Sequence, residues 1–587
     1  MSPAGGPVRP WALAREYFLQ FKGRYAWGFL LLAATNALAL SVPLLLKHAV
    51  DSLQAADRRR VALFSAAIVA VALGQAAIRT WSRLAILGAS RHVAFHLRGR
   101  LFSHLQRLPL TWYARRPIGD ISSRAVNDML LVRSFFGPGM MNLVNTTLVY
   151  VTAVSMMLAM DARLTLIALA PYPVFLLAVN RLSRRIYAHT MQVQEQLGAL
   201  TSKAQENISG INLIKTYARE KEESEAWSAL SRSYLGRVLA LARARGAMVP
   251  LMGSMASAGT LVVIGLGGRE VILGRITLGD FVAFNAYLAF LVWPTFAFGW
   301  ILNTFQRGAA ALRRIGEVLA HPAEQREPAP GRTDAPLAGA IEFRDLTFSH
   351  EGAPAGVRHL DRVNLRVPAG GSLGIVGTVG AGKTTLVNML PRILPPPPGT
   401  VFVDGQDVAT LPLSRLRRDI GMVPQEGFLF SRSLRDNVAL SGRAGAAALD
   451  QAVREARLDK DLPLFPQGLD TVVGERGYTL SGGQRQRATL ARALAASPAV
   501  LILDDALSSL DAQVEREVVE ALRRRKGSST MIVVSNRVAT LSWADDIAVM
   551  DGGTVVERGT HEELLAKGGV YARIARRQSL AERLEEA

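Results

Sequence analysis

The first half of the chain is marked by six long runs of apolar residues separated by polar stretches. Each run is roughly 20 residues long, the length that an α-helix needs to cross the hydrocarbon core of a bilayer. The runs cover residues 25–46, 61–81, 140–160, 164–179 with some extension, 248–267 and 278–302. The pattern therefore predicts six transmembrane helices.

Two long connections, after the second and the fourth run, keep a helical periodicity and contain no Pro- or Gly-rich tract. We expect them to extend the membrane helices well beyond the bilayer. Both are rich in Arg and Lys, as is the start of the chain. Because cytoplasmic loops carry an excess of these residues, the connections and the N-terminus are predicted to be cytoplasmic. The sequence ADRRR at 56–60 argues against this topology, but it is much shorter than the basic connections.

A change of pattern divides the chain. Residues 321–340 are rich in Pro, Ala and Gly and are predicted to be a linker. From residue 341 onward, short β runs alternate with helical segments, which indicates an α/β domain. We therefore predict a transmembrane domain at 1–320 and a second domain at 341–587.

Composition agrees with a membrane protein. Of the 587 residues 49% are hydrophobic, and the net charge is +20. Because the Arg residues lie in segments that flank the membrane, we interpret the positive charge as an adaptation to anionic lipid of the bilayer. We expect no nucleic-acid binding. The chain has no Cys, which excludes disulfides, thiolate zinc sites and cysteine nucleophiles. The first apolar run is long enough to span a bilayer, so no cleavable signal is predicted.

The second half carries a phosphate-binding motif. The sequence GTVGAGKTT at 377–385 follows an apolar strand and opens a helix, which is the context that a P-loop needs. Its glycines let backbone N–H groups surround phosphate oxygens, Lys383 reaches the β- and γ-phosphates, and the Thr384 hydroxyl is a magnesium ligand. The candidate nucleotide-binding residues here are Gly377, Thr378, Val379, Gly380, Ala381, Gly382, Lys383, Thr384 and Thr385.

Two adjacent acids follow another buried strand. The run 500–503 is apolar and delivers Asp504 and Asp505 at its end. Two acids at a strand end indicate metal binding together with base chemistry.

The sequence LSGGQRQR at 480–487 adds a second specific motif. With the P-loop it resembles ABC transporters of the exporter type, in which six membrane helices precede one nucleotide-binding domain, and the resemblance covers nearly the whole chain. It implies an α-helical transmembrane domain followed by an α/β P-loop ATPase domain of ABC type, with ATP and Mg²⁺ as cofactors, in a bacterial inner membrane. Asp504 then corresponds to the Walker B acid and Gln425, in GMVPQEGFLF, to the Q-loop, so that Thr384, Gln425 and Asp504 would bind magnesium.

Further motifs follow the family order. The sequence TVVGERG at 471–477 resembles the X-loop, and SSLD at 508–511 resembles the D-loop. Segments 112–128 and 206–220 resemble the cytoplasmic coupling helices, which in the family transmit closure of the nucleotide domains.

The signature implies a second chain. In the family its residues contact the ATP held by a partner domain, and one chain holds only one set. The glycines permit close backbone approach, and Ser481 stands at a helix N-terminus, where a γ-phosphate is favoured. The residues predicted to contact the partner's ATP are Leu480, Ser481, Gly482, Gly483, Gln484 and Asp511.

Three positions depart from the family pattern. Asp505 stands where the family has a catalytic Glu, Asn536 stands where it has the switch His, and His350 stands where it has an adenine-stacking aromatic residue. The Asp side chain is one methylene shorter, and a misplacement of about 1 Å can cost about 10²-fold in rate. Asn536 can donate a hydrogen bond but cannot carry a proton or a positive charge.

These departures resemble the impaired-site subunit of a heterodimeric multidrug exporter, in which binding residues remain while hydrolysis is weakened. We therefore expect a different partner chain that carries the catalytic Glu, with hydrolysis mainly at the partner's site. One alternative is a homodimeric exporter or lipid flippase with two slow sites. Another is a channel or regulatory subunit in which ATP gates rather than drives movement.

The transport substrate is less defined. The sixth apolar run is rich in aromatic residues, which suit a hydrophobic or amphipathic substrate such as a drug, a lipid or a peptide. For most of these residues, however, lipid contact and helix packing are the better explanation. The polar residues that could line a cavity or join helices are Asn36, Gln75, Asn142, Asn145 and Asn285.

Overall fold

The computed structural model describes residues 10–324, 335–350, 352–354, 356–474 and 480–586, without the side chains of residues 252, 256 and 581–586. These residues form two compact units. The first comprises the residues up to Leu108 together with Arg116–Pro322, and the second comprises Pro109–Arg115 and the residues from Ala323 onward.

The first unit is entirely helical. In chain order, with α4 belonging to the second unit, the helices are α1 (Pro10–Gln20), α2 (Lys22–Gln54), α3 (Arg58–Leu105), α4 (Leu110–Ala114), α5 (Ile118–Ser123), α6 (Met129–Ser134), α7 (Met140–Met160), α8 (Ala162–Leu169), α9 (Tyr172–Ser209), α10 (Ile211–Thr216), α11 (Glu220–Gly246), α12 (Met248–Val262), α13 (Gly268–Ile272) and α14 (Leu278–Ala320). Within the described residues, six stretches are long and apolar enough to cross a membrane, which confirms the six predicted spans. They are Lys22–Gln54, Arg58–Leu105, Ile118–Met160, Ala162–Ser209, Glu220–Ile272 and Leu278–Ala320.

The predicted helical extensions are also present. Helices α3, α9 and α11 run far beyond their apolar segments. The fourth span differs from the expected continuous run, because α8 ends at Leu169 and α9 begins at Tyr172. Pro171 lies between them and has no backbone N–H to donate to the preceding turn.

Within the part of the chain that the structure describes, three π-helical turns interrupt the spans, at Arg124–Asp128, Phe135–Gly139 and Val263–Gly267. The second contains Pro138, which removes one backbone donor from the regular helical pattern. Apolar periodicity alone does not predict such turns.

Close packing joins α2 to α3. A Cβ added at Gly28 would lie 2.5 Å from Cγ1 of Ile86, so only glycine permits this approach. The Ser82 hydroxyl donates to the Gly28 carbonyl at 2.9 Å. Small residues and interhelical hydrogen bonds are the usual means of helix association in lipid.

The second unit is an α/β domain, and its described residues form two sheets. Its strands are β1 (Ile341–Phe348), β2 (Leu360–Val367), β3 (Ser372–Gly377), β4 (Val401–Val403), β5 (Gln406–Asp407), β6 (Ile420–Val423), β7 (Val500–Asp504), β8 (Thr530–Val534), β9 (Asp546–Asp551) and β10 (Thr554–Gly559). Its remaining helices are α15 (Lys383–Met389), α16 (Leu413–Asp419), α17 (Leu434–Val438), α18 (Ala446–Glu455), α19 (Gly482–Ala495), α20 (Ala512–Arg524), α21 (Val538–Leu541), α22 (His561–Lys567) and α23 (Val570–Glu586).

The larger sheet has the order β10-β9-β3-β8-β7-β6, and its strands from β9 to β6 are parallel. Strands β3, β7 and β8 are buried at every position. Parallel strands covered on both faces read as continuous apolar runs, which is why the sequence shows no alternation there. The smaller sheet is antiparallel, in the order β2-β1-β4-β5.

Candidate nucleotide site

The predicted nucleotide residues gather at one edge of the larger sheet. The P-loop follows β3, Asn536 follows β8, Asp504 ends β7 with Asp505 directly after it, and Gln425 follows β6. The strand register pairs Val534 with Asp504 and Val423 with Leu503. Because these strands are parallel, their carboxyl ends form a single crevice, the usual ligand position in such sheets.

The backbone of the P-loop requires glycine at defined positions. A Cβ at Gly377 would lie 2.0 Å from the Met550 carbonyl oxygen, and Gly382 has a φ of +90° directly before α15. Lys383 Nζ donates to the carbonyls of Gly377 and Thr378 at 2.8 and 2.9 Å. The lysine ammonium therefore lies against the loop whose N–H groups are predicted to hold phosphate.

A pair of oxygen ligands lies beside the loop. The Thr384 hydroxyl donates to Oδ1 of Asp504 at 3.2 Å, and Asp504 is only 2% exposed. One neutral and one anionic oxygen fit Mg²⁺, which keeps several waters and takes further ligands from nucleotide phosphates. Among the described residues no group of three or more His, Cys, Asp or Glu side chains is arranged to hold a metal ion.

Asp505 has an unusual backbone. Its φ is +49°, in the left-handed region that few residues other than glycine adopt. Its N–H donates to the Val534 carbonyl at 2.9 Å, and its carbonyl accepts from the Ser508 hydroxyl at 2.9 Å. These two bonds fix the direction in which the short carboxylate leaves the chain.

The charges at the site influence one another. Burial raises the pKa of both Asp504 and Asp505, and the neighbouring Lys383 partly offsets this rise. Burial also lowers the pKa of Lys383, while the two carboxylates act in the opposite direction. The three groups are thus close enough to form one electrostatic unit.

His350 lies beside the start of α15. Its Nε2 is 3.5 Å from the Thr385 hydroxyl, and its ring packs edge-on against His359 with centroids 4.6 Å apart. Burial, followed by the charge of His359, lowers the pKa of His350 below its usual value of 6.5. The ring is therefore neutral at pH 7 and can stack on a base without adding charge.

The signature residues stand at the beginning of α19. Ser481 and Gln484 form a reciprocal capping box, in which the Gln484 N–H donates to the Ser481 hydroxyl and the Ser481 N–H to the Gln484 side chain. Leu480 is buried. The resemblance to an X-loop falls partly on residues 475–477, which lie outside the described residues.

The D-loop is tied to the signature helix. Gln486 of α19 accepts from the Ser509 N–H at 3.0 Å and lies 3.4 Å from the Ser508 hydroxyl. The Asp511 carboxylate accepts from the Val514 N–H and caps α20. The two segments predicted to face a partner are therefore held together within this chain.

Sequence reasoning missed two groups at the site. Gln486 lies inside the quoted signature, but only the fold reveals its bond to the D-loop. Gln578 of α23 donates to the Asn536 carbonyl at 2.6 Å and accepts from the Val538 N–H at 2.9 Å. Gln578 belongs to no motif, so no local pattern points to it.

Comparison with known proteins agrees with both units. Residues 25–295 match the family described as the ABC transporter transmembrane region, and residues 360–508 match the family described as ABC transporter. The chain is 33% identical to the probable multidrug resistance ABC transporter ATP-binding/permease protein YheI of Bacillus subtilis, over 96% of this chain and 97% of that protein.

Two other relatives match over similar lengths. The multidrug resistance-like ATP-binding protein MdlA of Escherichia coli is 31% identical over 99% of this chain and 98% of its own. The ATP-dependent lipid A-core flippase of Syntrophus aciditrophicus is 30% identical over 96% and 93%. A solved structure of a bacterial Atm1-family ABC exporter with ATP bound has the same fold, with a TM-score of 0.76, 24% identity, and coverage of 95% of this chain and 98% of that one.

Proposed function

Because the chain belongs to the ABC transporter family, as an exporter with its membrane region ahead of its ATPase domain, we propose that it is one half of a heterodimer whose own nucleotide site binds ATP and hydrolyses it slowly. One observation carries this proposal. The groups suited to binding Mg²⁺ and phosphate lie together, whereas the two positions expected to carry hydrolysis hold Asp505 and Asn536.

ATP binding is assigned to the P-loop, with His350 against the adenine. Lys383 neutralises phosphate charge, and Thr384 and Asp504 would hold the Mg²⁺ ion with Gln425. Bound Mg²⁺ supplies positive charge that neutralises phosphate oxygens during transfer. In support of this assignment, the Thr384 hydroxyl already donates to Asp504, the last residue of β7, and His350 lies beside Thr385 at the start of α15.

Slow hydrolysis is assigned to the two departures from the family pattern. The carboxylate of Asp505 ends one methylene short of a glutamate, and its backbone is fixed by bonds to Val534 and Ser508. The loop is therefore not free to shift and bring the Asp505 carboxylate to the position that a glutamate carboxylate would occupy. Asn536 supplies neither a proton nor a positive charge.

The signature of this chain is assigned to the partner's ATP. Its helix start is capped by Ser481 and Gln484, and Gln486 joins it to the D-loop, which is the arrangement of a preformed contact surface. A partner with an intact catalytic glutamate would supply most of the hydrolysis that drives transport.

A cavity in the first unit supports an amphipathic substrate. It has a volume of about 300 Å³ and combines apolar groups of α2 and α14 with charged and amide groups of α2, α3 and α7. The side chains that define its character are Phe290, Trp293, Arg79, Arg83, Asn36 and Asn145. Asn36 donates to the Asn145 side chain at 3.1 Å, so part of this polar wall is fixed. We assign the cavity to substrate, and the basic connections and N-terminus to the cytoplasmic side of a bacterial inner membrane.

The decisive experiment compares the two sites of the complex. The tagged chain is purified with its partner, and ATPase activity is measured for Asp505→Ala and for Glu→Gln at the partner's catalytic position. We expect Asp505→Ala to retain most of the activity and the partner change to abolish it, because hydrolysis resides in the partner. Asp504→Asn serves as the control for loss of nucleotide binding at this site.

Other outcomes identify the alternatives. If the chain purifies only with itself and Asp505→Ala abolishes ATPase activity, it is a homodimeric exporter or flippase with working Asp505 sites. If transport of a substrate against its gradient is absent while ATP changes substrate passage, the complex is a gated channel. Either result would overturn the proposal.

A further inference from the structure

A second cavity adjoins the P-loop. It has a volume of about 470 Å³, and one wall is formed by Val376–Val379 together with Asn536. The opposite wall is the last described helix, α23, which contributes Arg573, Ile574, Arg577 and Gln578. No motif found in the sequence includes this helix.

The helix is attached to the segment that carries Asn536. Gln578 accepts from the Val538 N–H and donates to the Asn536 carbonyl, so its amide holds both sides of this turn. Arg573 and Arg577 are four residues apart and therefore lie on one face of α23. Both side chains are exposed to the cavity rather than packed into the core.

The cavity is suited to an anion. Among the described residues that line it, two are arginines and none is acidic. Its loop wall includes Gly377 and Thr378, whose carbonyls accept from Lys383 Nζ, so the cavity begins at the loop that holds the phosphate-binding lysine. Guanidinium groups bind phosphate through paired N–H donors.

We propose that Arg573 and Arg577 bind the terminal phosphate of the nucleotide held by this chain's P-loop. They supply the positive charge that Asn536 lacks. An arginine keeps its proton at every physiological pH, so it stabilises bound ATP without relaying a proton. This inference rests on the proposed ATP binding at this P-loop and explains how a slow site would retain ATP in preference to ADP.

The test measures nucleotide affinity with the full-length chain in nonionic detergent and Mg²⁺, using fluorescent N-methylanthraniloyl derivatives of ATP and ADP. We expect Arg573→Gln with Arg577→Gln to weaken ATP binding by about tenfold and ADP binding by less than about twofold, because only ATP has the third phosphate. Arg576→Gln is the control, since it removes one arginine charge from the same helix at a residue that does not line the cavity, and it should change neither affinity.

A double change to Lys keeps the charge and should restore part of the preference for ATP. Equal losses for ATP and ADP would overturn the proposal, because α23 would then only support the loop, and unchanged affinities would overturn it as well. The outcome is independent of hydrolysis in the complex. If the preference for ATP depends on the arginines while Asp505→Ala abolishes ATPase activity, the arginine site stands and the heterodimer proposal fails.

Discussion

Asp505 shows which properties of a site residue follow from its type and which depend on its surroundings. Its identity alone predicts a carboxylate set back from the attacking water, and this inference needs no structure. Its left-handed backbone, its bond to Val534 and its raised pKa depend on the neighbouring strand and on burial, which the local sequence does not encode.

His350 provides a prediction at the same scale. In the proposed ATP site its neutral ring, beside Thr385, stacks on adenine, and loss of base stacking on a side chain costs about 1–3 kcal/mol. We expect His350→Ala to weaken ATP binding by about tenfold and His350→Tyr to keep or improve it, as measured by titration with a fluorescent ATP analogue.

The matched control for this prediction is His561→Ala. His561 also packs edge-on against a ring, that of Tyr571, but it belongs to α22. It should leave ATP affinity unchanged. Equal binding by wild type and His350→Ala would show that the adenine lies elsewhere.

At the scale of elements, the apolar periodicity predicted the six spans and their extensions but not their interruptions. The break at Pro171 has a signal in the sequence, because proline cannot complete the preceding turn. The π-helical turn at Arg124–Asp128 has no such signal, and its last residue contacts α14, which is distant in sequence. There Asp128 is buried and forms a two-point ion pair with Arg314, whose Nε donates at 2.8 Å.

This ion pair predicts a stability effect. Arg124 also donates to the Arg314 carbonyl at 2.8 Å, so two side chains, Arg124 and Asp128, join this segment to Arg314 of α14. We expect Asp128→Ala to lower the stability of the first unit by about 1–3 kcal/mol, because it leaves Arg314 without its buried acceptor. The measurement is the midpoint of thermal unfolding in detergent.

Asp120→Ala is the comparison for that measurement, since Asp120 pairs with Arg124 but its side chain is 40% exposed. A smaller loss is expected because solvent screens the exposed pair. If Asp120→Ala lowers stability as much as Asp128→Ala, burial does not make the Asp128 ion pair more stabilising than the exposed one.

At the scale of the whole molecule, the sequence predicted the fold class and the order of the motifs, because both can be recognised from short stretches of sequence. It did not predict which distant segments meet. The cavities illustrate this, since Arg79 of α3 and Phe290 of α14 line one cavity, and α23 and the P-loop line the other.

The cavity in the first unit predicts that a bound ligand carries a negative charge. Arg79 and Arg83 line it beside the aromatic side chains, so an amphipathic anion satisfies both walls. We expect Arg79→Gln with Arg83→Gln to weaken binding of dodecyl phosphate by about tenfold and to leave dodecanol binding unchanged. Binding is measured by thermal stabilisation of the nucleotide-free protein in nonionic detergent.

Arg91→Gln, on the same helix but away from the cavity, should leave both ligands unaffected. Equal losses for the phosphate and the alcohol would indicate a change in cavity shape rather than loss of a charge contact. Unchanged binding of both ligands would place the anionic group outside this cavity.

The amide of Gln486 has a consequence for how two subunits would sense each other. Since it fastens the D-loop to the signature helix, neither segment can shift without drawing the other along. In the proposed dimer, a partner would contact the D-loop and the start of α19 as one connected surface rather than as two independent ones. When the partner's nucleotide binds at Ser481, a displacement of α19 would therefore also displace the loop that follows Asp505, because the Gln486 side chain connects the two.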